Sequence, residues 1–192
     1  MGNLKSVSKA IEHVAPNQSV IVTSDPDEIR AAERVVFPGQ GAMPECMQEL
    51  EARGLRDAVI DAAKTKPFLG ICIGLQMLFE QSEEGEVDGL ALFQGNVKKF
   101  ALENQLDEAG GKLKVPHMGW NHKDIADGER FYFVHSYYVQ PEKDDCVVGF
   151  GEYPNRFVCA VARGNIFAVQ FHPEKSAQAG LQLLSNFVNW NP

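Results

Sequence analysis

The sequence predicts an α/β protein: a doubly wound, mostly parallel sheet with helices on both faces, extended by antiparallel strands in the C-terminal half. Three observations carry this expectation. Short continuous apolar runs alternate with helical patterns through the first ninety residues, as in strands buried on both faces. Beyond Gly89, strand-like runs follow one another without long helices between them. An amphipathic helix then closes the chain.

The elements follow in order. Leu4, Val7, Ala10, Ile11 and Val14 recur at helical spacing, and Pro16 stops them. Ser19–Thr23 is a short apolar strand. Ser24 or Asp25 can cap the small helix that Pro26 opens. Arg34–Phe37 is a second strand, broken by Pro38-Gly39. Helices are expected around Glu45–Ala52 and Leu55–Lys64. Pro67–Ile71 is a third strand, running directly into a helix from Gly74 to Gln81. The later strands are Val97–Phe100, Arg130–Val139, Val147–Tyr153, Phe157–Ala162 and Ile166–Phe171. Ala177, Gly180, Leu181, Leu184 and Val188 mark the terminal helix, which should pack on the sheet.

With 192 residues the chain makes one domain, 1–192, large enough to bury a core without disulfides or a structural metal. Eighteen basic against twenty-six acidic side chains give a net charge of −8, which disfavours a nucleic-acid partner. The 13-residue uncharged run Pro67–Phe79 falls short of the ~20 residues a membrane helix needs, so no membrane association is expected. No basic n-region and cleavage site open the chain, so a cytoplasmic location is expected. Met1–Ser6 fits the myristoylation pattern, but a stable anchor needs a second signal. Cys46, Cys72, Cys146 and Cys159 form no C-x-x-C pair, and the five histidines show no metal-ligand spacing. Neither metal nor cofactor is expected.

The chemistry is carried by three short motifs. Gly70-Ile71-Cys72-Ile73-Gly74 is G-x-C-x-G at a strand-to-helix junction, the cysteine form of a nucleophile elbow. The glycines permit a tight turn, and the N-terminus of a following helix favours thiolate. The competing reading is a small buried cysteine beside packing glycines. Phe171-His172-Pro173-Glu174 ends a strand one hundred residues later. His172 can serve as base for Cys72, and Glu174 can accept its other N–H and fix the tautomer. Alternatively His172 caps a strand and Glu174 is solvated. Pro38-Gly39-Gln40-Gly41 can present backbone N–H groups that form an oxyanion hole with the N–H of Ile73, or it is a β-turn.

Taken together, G-x-C-x-G-x-Q (completed by Gln76), P-G-x-G and H-P-E resemble the class I, triad-type glutamine amidotransferases. The resemblance implies the flavodoxin-like fold of those glutaminases and a Cys72-His172-Glu174 triad that cleaves glutamine to glutamate and ammonia. It implies an oxyanion hole at Gly39, Gln40 and Ile73. Gly41, Gln76, Glu84, Ser136 and Tyr137 fall where the family holds the glutamine substrate.

Further segments narrow the likeness. Val115–Asn121 (V-P-H-M-G-W-N), Tyr132–Tyr138, Met1–Val7 and Phe171–Ser176 resemble the glutaminase subunits of imidazole glycerol phosphate synthases, over essentially all 192 residues. That family implies a heterodimer with a (β/α)₈-barrel cyclase subunit. The barrel receives the ammonia and makes imidazole glycerol phosphate and an aminoimidazole carboxamide ribotide, in histidine biosynthesis. Asn3, Trp120, Asn121 and Lys175 are implied on the face that meets the barrel. Other readings are another class I glutaminase subunit, a γ-glutamyl cysteine hydrolase, or a catalytically silent interaction module. The family has an apolar strand before the Gly2-Asn3 turn, so the first strand of the sheet is expected to be missing.

Overall fold

The structure is a computed structural model that describes residues 2–102, 115–122 and 129–192; for 2–3 and 120–122 only the backbone is described. Helix α1 spans Gly2–Val14 and α2 spans Pro26–Ala31. Strand β1 is Val35–Gly39, followed by α3 at Met43–Ala52 and α4 at Arg56–Thr65. Strand β2, Phe68–Cys72, leads into a single turn, α5, at Ile73–Gln76. Two-residue strands β3 (Gln81–Ser82) and β4 (Val87–Asp88) precede β5 at Gly95–Lys99. Then come β6 (His117–His122), β7 (Arg130–His135), β8 (Tyr137–Pro141), β9 (Val147–Glu152), β10 (Arg156–Arg163) and β11 (Ile166–Val169). Helix α6, Ala177–Val188, closes the fold.

The main sheet runs β1-β2-β11-β10-β8-β5-β3-β4, with β9 added beside β10; β6 and β7 form a separate pair. Among the described residues, parallel pairing is confined to β1–β2, β2–β11 and β3–β5. The sheet is therefore mixed rather than mostly parallel: β9, β10 and β11 follow one another by short connections, which permit only antiparallel pairing between consecutive strands, and β8 pairs antiparallel with both β5 and β10. Every residue of β2 is buried, so both its faces are covered. Helix α1 lies against α6, and α2 against α4. The Asp25 carboxylate accepts the N–H of Asp27 at 2.8 Å and caps α2, as the sequence suggested. At the other end of α2, the Lys66 ammonium donates to the carbonyls of Ile29, Arg30 and Ala32.

Several expectations change. Ser19–Thr23 pairs with no strand among the described residues, and Ile21 and Val22 are 64% and 58% exposed. An apolar run becomes a strand only with a neighbour to bond, and the edge of β1 facing it has none among the described residues. Pro38 and Gly39 do not break the second strand; they are its last two residues. Pro38 is tolerated because β1 is an edge strand. The helix expected to run to Gln81 stops at Gln76. Leu78 and Phe79 bond back only three residues, to Leu75 and Gln76, and the chain turns into β3. Arg130–Val139 is two strands in two sheets, divided at Ser136.

Candidate active site

Strands β1, β2 and β11 end side by side. Gly39 is the register partner of Cys72, and Val169 is the partner of Ile71. The three sequence motifs therefore leave the sheet at the same end, where open α/β sheets place their sites.

Cys72 sits at φ 56°, ψ −111°, a left-handed conformation uncommon for a non-glycine residue. The elbow is held by close backbone contact. A Cβ on Gly74 would lie 1.8 Å from the Phe37 carbonyl oxygen, and one on Gly39 would lie 2.4 Å from the Ile73 Cβ. Glycine at those two positions lets α5 press onto the end of β1. Because α5 is one turn long, it contributes little of the dipole expected from a full helix; the free N–H groups of the turn remain.

His172 follows β11, and its N–H donates to the Tyr132 carbonyl on β7 at 3.0 Å. The Ser176 hydroxyl donates to the His172 carbonyl at 2.6 Å and accepts the N–H of Tyr132 at 3.0 Å. His172 Nδ1 donates to Glu174 Oε1 at 2.9 Å, with both side chains almost wholly buried. The ring also hydrogen-bonds Cys72. Burial pulls the imidazolium down, but the hydrogen bonds to Cys72 and Glu174, with their charges, outweigh it and push the group up to about 9. The ring therefore stays protonated near neutrality, an arrangement suited to a thiolate–imidazolium pair.

A cavity of about 330 Å³ opens above this triad, within the range of small-molecule pockets. Its walls include Gly39, Gln40, Gly41, Cys72, Ile73, Gln76, Glu84, Ser136, Tyr137, His172 and Lys175. Glu174 lies behind His172. The Oε1 of Gln76 is buried with no hydrogen-bond partner among the described residues, an acceptor left open at the cavity. Glu84 Oε2 accepts the N–H of Met43 at 2.8 Å and so caps α3. Lys175, expected at a partner face, lines the cavity. Asn3 is in the first turn of α1, and Trp120 and Asn121 are on β6; their side chains lie outside the described residues.

Sequence reasoning missed three groups here. Gln170, fully buried, donates through Nε2 to Cys72 Sγ at 3.7 Å. Its signal was a lone amide in the otherwise apolar run Ile166–Phe171. The Cys46 thiol donates to the Gln40 carbonyl at 3.2 Å, and burial pushes this thiol up, keeping it a donor. His135 forms part of the wall and hydrogen-bonds His117 at 3.1 Å. Burial pushes His135 down to about 3, helped by the nearby His117 and His172, and pushes His117 down to about 4. Both rings are neutral. No metal-binding group of His, Cys, Asp or Glu occurs among the described residues.

The profile of the family "Glutamine amidotransferase class-I" matches residues 3–190. An imidazole glycerol phosphate synthase subunit HisH from Thiobacillus denitrificans is 62% identical over 202 residues, covering all of this chain and 89% of the relative. The corresponding protein from Dechloromonas aromatica is 64% identical over 201 residues, covering all of this chain and 94% of the relative. The chain belongs to the HisH family of class-I glutamine amidotransferases. Solved structures share the fold at much lower identity. A glutamine amidotransferase superposes with a TM-score of 0.74 at 13% identity, over 98% of this chain and 95% of the other. The glutaminase domain of Trypanosoma brucei CTPS gives 0.52 at 14% identity, over 98% and 89%. This chain thus shares its overall α/β fold with these solved structures.

Proposed function

We propose that this chain hydrolyses glutamine to glutamate and ammonia at Cys72. We also propose that it passes the ammonia to a (β/α)₈-barrel cyclase subunit, which makes imidazole glycerol phosphate and aminoimidazole carboxamide ribotide in histidine biosynthesis. The observation that carries the reading is the buried Glu174–His172 hydrogen bond of 2.9 Å, with His172 in turn bonded to Cys72 beneath a small cavity. The HisH relatives are named as subunits of imidazole glycerol phosphate synthase, which supports a second subunit.

In this reading Cys72 Sγ attacks the side-chain amide carbon of glutamine. The Gln40 and Ile73 N–H groups, beside Gly39, receive the developing oxyanion; one such donor is typically worth ~3–4 kcal/mol in the transition state. His172 protonates the departing ammonia, then takes a proton from the water that opens the thioester. Glu174 holds the ring. Gly41, Gln76, Glu84, Ser136 and Tyr137 hold the amino acid. Besides His172, the wall carries one carboxylate, Glu84, and one ammonium, Lys175, a pair suited to a zwitterion. Ammonia protonates in open water and loses its nucleophilicity, so a covered transfer to a partner is chemically reasonable. Asn3, Trp120, Asn121 and Lys175 form the face assigned to that partner in a heterodimer. Among the described residues no helix is long and apolar enough to cross a membrane, and we assign the cytoplasm.

The reading includes a doubly wound sheet with one more parallel strand beside β1. What supports it is a mostly apolar groove of about 750 Å³ between β1 and the unpaired stretch Ser19–Thr23. We assign that place to a further apolar strand.

The test is ammonia release from glutamine by the chain mixed with a histidine-pathway cyclase and its nucleotide ligand, using Cys72→Ala as control. Release that is lost in Cys72→Ala, while the complex still makes product from added ammonium salt, supports the assignment. Retention of more than a few per cent of glutaminase activity in Cys72→Ala removes Cys72 as nucleophile.

A further inference from the structure

We propose that Gln170 is a further catalytic residue, whose amide N–H supports the Cys72 sulfur as thiolate. The inference rests on the reading of Cys72 as nucleophile. Gln170 Nε2 lies 3.7 Å from Cys72 Sγ and the side chain is wholly buried, so no water competes for that donor. A buried N–H aimed at sulfur favours the charged form over the thiol, because it bonds an anion more strongly.

The direction of the amide is set by a chain of bonds with only one consistent polarity. The Tyr137 carbonyl can only accept. It takes His135 Nδ1–H at 2.8 Å and one N–H of Gln76 Nε2 at 3.1 Å. The second N–H of Gln76 then meets Gln170 Oε1 at 3.0 Å. With its oxygen so engaged, Gln170 must turn Nε2 to the sulfur. The same logic fixes the histidines: His135, donating from Nδ1, accepts at Nε2 from His117 Nδ1–H at 3.1 Å. His117 opens β6, the strand that also carries Trp120 and Asn121. The nucleophile is thus joined by hydrogen bonds to the strand assigned to the partner face.

Two variants separate support of the thiolate from simple packing. Gln170→Met keeps volume and burial but removes the donor. Gln170→Glu keeps the shape but sets a carboxylate at the sulfur. The measurement is the rate of iodoacetamide alkylation of the Cys72 peptide in the folded full chain, followed by mass spectrometry at pH 7 and pH 10. At pH 7 we expect Gln170→Met to react about three- to tenfold more slowly than wild type, and Gln170→Glu more slowly still. At pH 10, where alkali supplies the thiolate, Gln170→Met should return to within twofold of wild type. Wild-type rates at pH 7 would overturn the proposal. A Gln170→Met rate equally slow at both pH values would also overturn it, since that is lost access rather than lost thiolate. Neither result depends on glutamine turnover, so failure here is distinct from failure of the glutaminase assignment.

Discussion

The Glu84 carboxylate accepts the backbone N–H of Met43 at 2.8 Å, closing the N-terminus of α3 from 41 residues away. Ala42, the residue before α3, offers no side-chain cap of its own. Glu84 therefore joins a structural bond to its place in the cavity wall.

The two roles separate by substitution. Glu84→Ala should cost about 1 kcal/mol, as loss of a helix cap does, lowering Tm by roughly 2–4 °C for a chain of this size. Glu84→Gln keeps an acceptor and should retain most of that stability. Both variants should raise the KM for glutamine, because both lose the charge assigned to the substrate ammonium. Thermal unfolding and steady-state kinetics check the two halves; an unchanged KM in Glu84→Gln would leave only the cap.

Cys46 anchors the downstream end of Pro38–Gly41 through the Gln40 carbonyl. Cys46→Ser keeps a hydroxyl donor and should retain kcat within about twofold, whereas Cys46→Ala should lower kcat several-fold with little change in KM. The expectation follows from the rule that a misplaced oxyanion donor acts mainly in the transition state. Equal kcat in the two variants would show that this thiol positions nothing.

Acid should weaken the fold through His117 and His135. Their folded-state values, about 4 and about 3, lie below the ordinary 6.5, so the unfolded chain binds protons that the folded chain refuses. Their stabilising contribution is full above about pH 6.5 and is lost as pH falls toward 4 and 3. His117→Gln, which keeps a donor for His135, should show a flatter loss of Tm between pH 6.5 and 4.5 than the wild type. Parallel curves would remove His117 from the acid response.

The groove beside β1 gives a prediction about length. A short apolar strand added ahead of Met1 should pair with Val35–Gly39 and cover Ile21 and Val22. Each Val- or Ile-type side chain so buried is worth ~1.5–3 kcal/mol, against ~1–2 kcal/mol per residue of backbone ordering. The longer chain should melt higher than residues 1–192. An extended chain that melts no higher would refute the doubly wound arrangement at this edge.

The sequence exposed the local chemistry well and the distant bonds poorly. His172 and Glu174 are two residues apart, so their pairing is written into a tripeptide, and the glycines around Cys72 announce a tight turn. Gln170–Cys72, Cys46–Gln40 and Glu84–Met43 depend on how strands and loops meet, and short motifs do not encode that. The same limit explains the errors in the fold. Leu75, Leu78 and Phe79 have helical spacing, yet the backbone bends after Gln76 because Gly89 and β3 fold back across it, with the Gly89 N–H bonded to the Glu80 carbonyl. Ser19–Thr23 has strand composition but no paired strand among the described residues. Ser136, one small residue, separates two strands that periodicity reads as one.

Cys72 ends β2 and His172 follows β11; the two strands are neighbours in the sheet but separated by β3 to β10 along the chain. Contacts of such high sequence separation form only after a long loop has closed. On the ribosome, nearly the whole chain must emerge before the thiol meets its imidazole. A nascent or prematurely ended polypeptide therefore carries the cysteine without the imidazole that completes the pair.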